Sequence, residues 1–458
     1  MHEGLNERRS LPAVSKVLGA LAPIDLPRPI IVDAIRRRLA VLRKSGMNVP
    51  LEELVHSLEA ELERHRRKRL QIVVNATGIV LHTNFGRAPL HPDIAQEIAF
   101  AASTYGNVEF DLCEGRRGGR ADYLEHHLAL LCGAESAMVV NNCAAALVLL
   151  VSHFAPSGKA VVISRGELVQ IGGGFRIGEI LATTGAEVRE VGATNQTSLR
   201  DYEKAIDSET GFILSVHRSN FFMEGFVDSP PIESLAELSR RKRVPLVADL
   251  GSGALGDFSA HSPEPEPTPD KVIKAGADLV CFSGDKLFGG TQAGIIAGRK
   301  KLIAALKRHP LYRALRCDKL RLLALQSTVD FHLRDLTSQI PAIALLEISK
   351  DELRARAAVL FDRLRGLPAR ITMGRGTGKT GGGSLPRSNI PSITVDIVPD
   401  NGSLKAFAEL LRSHTTPVIG YVSGGAVKLD LRTVFPFQDD ILVDAIRAAC
   451  AAPNDSEA

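Results

Sequence analysis

The chain has 458 residues, 45% of them hydrophobic, with a formal net charge of +4, so it has the material for a large core divided among two or three domains. No window approaches ~18 uninterrupted apolar residues and the first ten are polar, which argues against a membrane span or secretory leader and leads us to expect a cytoplasmic protein. The six cysteines (Cys113, Cys132, Cys143, Cys281, Cys317, Cys450) lie far apart without a C-x-x-C pair, so neither a structural metal site nor a disulfide framework is expected.

The charge is unevenly spread. Residues 1–70 carry 14 Lys and Arg against 9 Asp and Glu, while the rest of the chain, with 42 against 43, is close to neutral. The basic segment reads as three helices, near Leu11 to Leu21, Ile30 to Lys44 and from Pro50 onward, each with an apolar face. The third ends in Arg64-His-Arg-Arg-Lys-Arg69. Such a run is often a solvated helix end, but two basic clusters on one small helical unit also suit a polyanion. Residues 1–68 are therefore expected to form a helical, basic, RNA-gripping domain.

From Gln71 onward, short apolar runs alternate with helix-length segments: 137–140, 160–163, 187–191, 212–216, 244–248, 279–282 and 295–297. That alternation predicts a mainly parallel, seven-stranded sheet covered on both faces, an α/β domain over 69–335. The remainder, 336–458, reads as a smaller α+β domain that opens on a long amphipathic segment from Ala342 to Leu367. Within it, Gly374-Arg-Gly-Thr-Gly-Lys-Thr380 ends like a phosphate-binding P-loop, but the required glycine is missing at Met373, so this stretch reads as a loop.

Two strand ends carry the chemistry. Lys286 lies between the sixth and seventh predicted strands in Phe282-Ser-Gly-Asp-Lys-Leu-Phe-Gly-Gly290, among small residues that let a planar ligand approach the backbone, as a Schiff-base lysine requires. Upstream, an apolar strand ends on Asp249-Leu-Gly-Ser-Gly253, at the carboxyl edge of a parallel sheet where ligands bind. An aspartate there would keep a pyridinium nitrogen protonated. The order strand-Asp, then strand-Ser-x-x-Lys, points to pyridoxal 5'-phosphate. Asn141, Asn142 and Cys143, which open an apolar helix after the first strand, are the candidate phosphate cradle together with Ser283, although an ordinary asparagine cap explains the pair as well. Arg87, Arg120, Arg313 and Arg316 are candidate oxyanion binders. Arg313 and Arg316, three apart, are expected to share a helical face.

In these residues, and in Asn75-Ala-Thr-Gly-Ile-Val-Leu-His-Thr-Asn84, Gly86-Arg-Ala-Pro-Leu90, Ser164-Arg-Gly-Glu-Leu168, Ile171-Gly-Gly173, Leu311-Tyr-Arg-Ala-Leu-Arg316 and Leu429-Asp-Leu-Arg-Thr-Val434, the chain resembles the bacterial L-seryl-tRNA(Sec) selenium transferases. The resemblance implies a fold type I pyridoxal phosphate enzyme with the cofactor joined to Lys286. It implies seryl-tRNA(Sec) held by the N-terminal domain and conversion through aminoacrylyl-tRNA to selenocysteinyl-tRNA(Sec). It further implies selenophosphate bound by Arg87, Arg313 and Arg316, and a homo-oligomer of dimers, usually a decamer. Asp285, beside the lysine, is expected to orient or protonate. The chain departs from the family pattern at Cys143, Gln170, Gln196, Arg218 and Thr291, where asparagine, an acidic residue, arginine, threonine and proline are expected. Arg165 and Glu167 are both candidates to stack on the ring. The alternatives are a pyridoxal phosphate lyase of the same family acting on a small amino acid without tRNA, or a non-catalytic RNA-binding relative.

Overall fold

The computed structural model describes residues 11–47, 49–170, 172–174 and 176–452. Ile171, in one of the stretches that carries the resemblance, and the polar first ten residues lie outside them. The chain forms two compact units that meet in sequence between Val73 and Val74.

The first unit is helical: α1 (Val14–Ala20), α2 (Arg28–Ser45) and α3 (Leu51–Arg66). The 3.6-residue spacing brings Val17, Ile35, Leu39, Leu42, Leu54, Leu58 and Leu62 together in one buried cluster. Gly46, at φ 66°, terminates α2 in the left-handed conformation. Glu52 and Glu53 in the first turn of α3 and Arg64, His65 and Arg66 in its last complement the helix dipole. Part of the basic run is internally paired. Arg66 and Arg67 both bind Glu63, at 2.7 and 2.8 Å, and Arg69 binds Asp25 at 3.1 Å. The Arg66 hydrogen bond leads in holding the Glu63 carboxyl down to about 2.

The second unit is built on a seven-stranded sheet: β1 (Ser136–Val140), β2 (Ala160–Ser164), β3 (Glu187–Val191), β4 (Thr210–Val216), β5 (Leu246–Gly251), β6 (Leu279–Ser283) and β7 (Gly294–Gly298). Their spatial order is β3-β2-β4-β5-β6-β7-β1, and every neighbouring pair is parallel except the two made by β7. The two-residue period sends Val162, Ile213, Ala248 and Val280 to one apolar layer and Val161, Ile163, Phe212, Leu214 and Val247 to the other. Both faces are therefore buried, which is why these strands read as unbroken apolar runs.

A second, antiparallel sheet has strands β8 (Ala369–Gly378), β9 (Ile390–Pro399), β10 (Tyr421–Ser423) and β11 (Ala426–Asp430), in the order β8-β9-β11-β10. Two expectations change here. The P-loop-like stretch is not a loop, because Gly374 to Gly378 complete β8, paired throughout with β9. Its alternate glycines leave space for the neighbouring strands' polar side chains, since a Cβ would stand 2.2 Å from Asp396 Oδ2 at Gly374 and 2.5 Å from Asp430 Oδ2 at Gly376. The segment from Ala342 to Leu367 is two helices, α6 (Pro341–Glu347) and α7 (Lys350–Arg363), interrupted where Ser349 and Glu352 form a reciprocal capping box. Finally, Val74–Asn75 pairs in parallel with Val418–Ile419, so the beginning of this unit folds against its C-terminal region.

Candidate active site

The carboxyl ends of β4, β5 and β6 converge on one cavity of about 470 Å³, lined by Lys286, Asp249, Ser283, Asn142, Cys143 and Arg87 among others. Asp249 lies on β5, in register with Val216 of β4 and Cys281 of β6. Beyond Ser283 the chain turns through Gly284 to Lys286, whose Nζ lies 3.4 Å from Gly383 O. Gly383 and Gly251 border the amine, where a Cβ would lie 3.5 and 3.8 Å from Nζ, at van der Waals contact. The glycine run at 381–383, which follows the P-loop-like stretch, lines this cavity at Gly382 and Gly383. Its three residues have φ of 73°, 61° and 75°, and a Cβ at Gly382 would stand 2.7 Å from Leu81 O.

Helix α4 (Cys143–Phe154) starts at the cavity rim, with Asn142 as its N-cap accepting from Ala145 N at 2.8 Å. Such a cap contributes about 1 kcal/mol. Asn142 is thus the ordinary cap and a cavity residue at once, and the first-turn N–H groups that follow it make an anion cradle. Asn141 stands apart. Its N–H donates to Leu315 O at 2.8 Å and its Oδ1 is buried without a partner.

Arg87 is held at φ 64°, a costly conformation for a residue with a Cβ, and such strain concentrates at functional sites. Its Nη1 donates to Asp285 Oδ2 at 2.7 Å, and Ala88 N donates to Asp285 O at 3.2 Å. Asp285 Oδ1 and Arg87 Nε remain buried without partners, so both still have a hydrogen bond to make. Asp285 is therefore placed to fix the arginine beside the lysine.

Burial dominates the electrostatics. It lowers the Lys286 amine below the usual lysine value, Arg87 adds to that, and Cys143, Asp249 and Asp285 oppose it. Burial raises the Asp249 carboxyl, with Lys286 and the Cys143 hydrogen bond opposing. An amine whose burial favours its neutral form, sharing a cavity with a carboxylate that gains from binding a cationic partner, is the equipment for a cofactor carrying an aldehyde, a basic ring nitrogen and a phosphate.

The remaining arginines are elsewhere. Arg120, Arg313 and Arg316 line a second pocket of about 430 Å³, with Glu109, Arg117 and Lys307. Glu109 pairs with Arg117, Arg120 and Arg316 at 2.8, 2.9 and 3.2 Å. Arg316 does not share a helical face with Arg313, because it is the extended C-cap that follows α5 (Pro310–Leu315). Neither candidate stacking residue lines the Lys286 cavity. Arg165 is exposed and paired with Glu190 at 3.0 Å, and Glu167 accepts from Val216 N at 3.0 Å. From that segment it is the apolar Val169 that lines the cavity. His217, Ser219 and Asn220 also line the cavity. They follow β4 directly, so the strand-end signal that found Asp249 would have found them too.

Comparison with known proteins bears on the fold and the family. A solved structure of D-glucosaminate-6-phosphate ammonia-lyase superposes with a TM-score of 0.58 at 20% identity, covering 84% of this chain and 98% of that one. That likeness concerns the fold, which is the fold type I architecture expected from the sequence. Residues 73–435 match the family described as SelA, L-seryl-tRNA selenium transferase. Among curated relatives, the L-seryl-tRNA(Sec) selenium transferase of Carboxydothermus hydrogenoformans is 42% identical over 94% of this chain and 95% of its own length. That of Nitratidesulfovibrio vulgaris is 38% identical over 96% and 98%. The chain belongs to the L-seryl-tRNA selenium transferase family.

Proposed function

We propose that this protein converts L-seryl-tRNA(Sec) to selenocysteinyl-tRNA(Sec), using pyridoxal 5'-phosphate on Lys286 and selenophosphate as donor. The observation that carries the reading is the shared cavity of Lys286 and Asp249, with Arg87 clamped at its edge by Asp285. Lys286 would hold the cofactor, the Asp249 carboxylate would pair with its ring nitrogen, and Asn142, Cys143 and Ser283 would receive its phosphate. The bound cofactor withdraws electrons from Cα, which is what lets the seryl hydroxyl leave.

The chain's own groups do the rest. The lowered Lys286 amine takes the Cα proton. Arg87, oriented by Asp285, presents a planar fork to a tetrahedral anion. In one chain Arg87 lines one cavity and Arg313 and Arg316 line another. In this reading a donor site that uses all three is completed by a second copy, in keeping with the dimer-based decamer that the resemblance implies. We assign the tRNA to residues 1–68, the cofactor chemistry to 69–335 and a supporting role to 336–458, and place the enzyme in the cytoplasm. Among the described residues no helix is long and apolar enough to cross a membrane.

Subunit complementation tests this reading. Lys286→Ala alone should be inactive and the double variant Arg313→Ala/Arg316→Ala alone should be impaired at limiting selenophosphate, and mixed oligomers should form more selenocysteinyl-tRNA at that donor concentration than either variant alone. No recovery in verified mixed oligomers would contradict the two-copy donor site.

A further inference from the structure

Cys143, Asp249 and Cys281 meet at the wall of the Lys286 cavity. One ligand atom from each, two Sγ and a carboxylate oxygen, all lie within 4.8 Å of one another. They come from three separate segments: Cys143 opens α4, Asp249 ends the apolar run of β5, and Cys281 is its register partner on β6. Cys143 Sγ donates to Asp249 Oδ1 at 3.5 Å. Cys281 is fully buried, whereas Cys143 lines the cavity and gives the cluster an entrance. The sequence offered no sign of this grouping, because no spacing motif joins the two thiols.

Zinc–sulfur and zinc–oxygen distances of about 2.3 and 2.0–2.2 Å put tetrahedral ligands roughly 3.5–3.8 Å apart, so shifts of about 1 Å complete such a site here. A disulfide, at about 2.05 Å between sulfurs, demands a much closer approach. Two thiols select thiophilic d¹⁰ cations over magnesium or calcium. Ligation releases the two thiol protons and oxidises nothing. Two thiolates and one carboxylate around a dication leave one negative charge, and the Lys286 ammonium shares that cavity.

We propose that the chain without its cofactor binds one Zn²⁺ through Cys143, Cys281 and Asp249, and that this metal and the cofactor exclude each other because both require Asp249. The exclusion rests on the cofactor reading above; the metal site does not.

The test is titration of the full chain, stripped of pyridoxal phosphate and kept reduced, with Co²⁺ as the spectroscopic stand-in. We expect one Co²⁺ per chain, with a thiolate charge-transfer band and strong visible bands of a tetrahedral ion, release of two protons, and displacement by Zn²⁺. Cys143→Ala and Cys281→Ala should each weaken binding by at least about 10-fold with circular dichroism unchanged, and Cys113→Ala/Cys450→Ala should not. Absence of a thiolate band, or a band that survives Cys143→Ala/Cys281→Ala, overturns the site. Preloading with pyridoxal phosphate should suppress the cobalt spectrum, and equal binding by the loaded chain overturns the exclusion. If the cofactor reading itself were wrong, the chain would acquire no visible pyridoxal absorption, while the cobalt titration would still read as described.

Discussion

The Lys286 cavity and the arginine pocket are close in size, about 470 and 430 Å³, and are built in opposite ways. The first is assembled from adjacent strand ends, a helix start and a glycine wall, and it holds buried polar atoms that still lack partners, among them Asp285 Oδ1 and Arg87 Nε. The second gathers arginines around Glu109, which pairs with three of them. In the proposed function, the first would grip a cofactor of fixed shape. The second holds positive charge that an incoming oxyanion must compete for, so substitutions should separate chemistry from donor capture.

The largest effect should come from Lys286→Ala, which removes both the attachment point and the base. Selenocysteinyl-tRNA formation should fall by more than about 10³-fold, and near wild-type turnover would break the contrast outright. Asp249→Ala comes next, with a loss of about 10²-fold in kcat and little change in KM for seryl-tRNA, read by single-turnover kinetics. Arg313→Ala/Arg316→Ala should act on donor capture, lowering kcat/KM for selenophosphate by about 10- to 100-fold with seryl-tRNA binding intact. Charge removal in the N-terminal unit at Arg64 and Lys68 should leave chemistry unchanged, weaken tRNA binding and reduce its salt slope by roughly 0.7–0.9 per lost phosphate contact.

The smallest effect concerns Glu167, whose carboxyl burial raises from 4.5 to about 7, with Val216 N–H, Arg218 and Ser215 opposing. Between those values the folded chain retains a proton that the unfolded chain has released. Stability attributable to this group therefore declines as pH rises from about 4.5 to 7 and stays reduced above that. Glu167→Gln should remove that slope, a difference on the order of 1–3 kcal/mol between the two proteins across the window, read by denaturant melts at several pH values.

What the sequence revealed follows the same division. The seven main strands were legible because full burial on both faces makes them unbroken apolar runs, and Asp249, Ser283 and Lys286 because strand ends of a parallel sheet place them together. Strand β8 was not, since its glycines answer to side chains on neighbouring strands that are distant in sequence. The wall at Gly381–Gly383 was hidden for a related reason: its positive φ values and its contact with Leu81 are tertiary facts. Arg313 and Arg316 were recognised as basic, but helix spacing could not say that the helix stops at Leu315. Val169 was missed because the eye falls on its charged neighbours, and the partly paired state of Arg66, Arg67 and Arg69 depends on Glu63 and on Asp25, the latter from outside α3.

The central claim, that one amine in this cavity carries the cofactor, is tested most directly by trapping. The full-length protein is incubated with pyridoxal 5'-phosphate, reduced with borohydride, digested and mapped by mass spectrometry. The account predicts one phosphopyridoxyl adduct per chain, on the peptide that contains Lys286, and none on that peptide in Lys286→Ala. A stoichiometric adduct on a different lysine, with Lys286 unmodified, would contradict it.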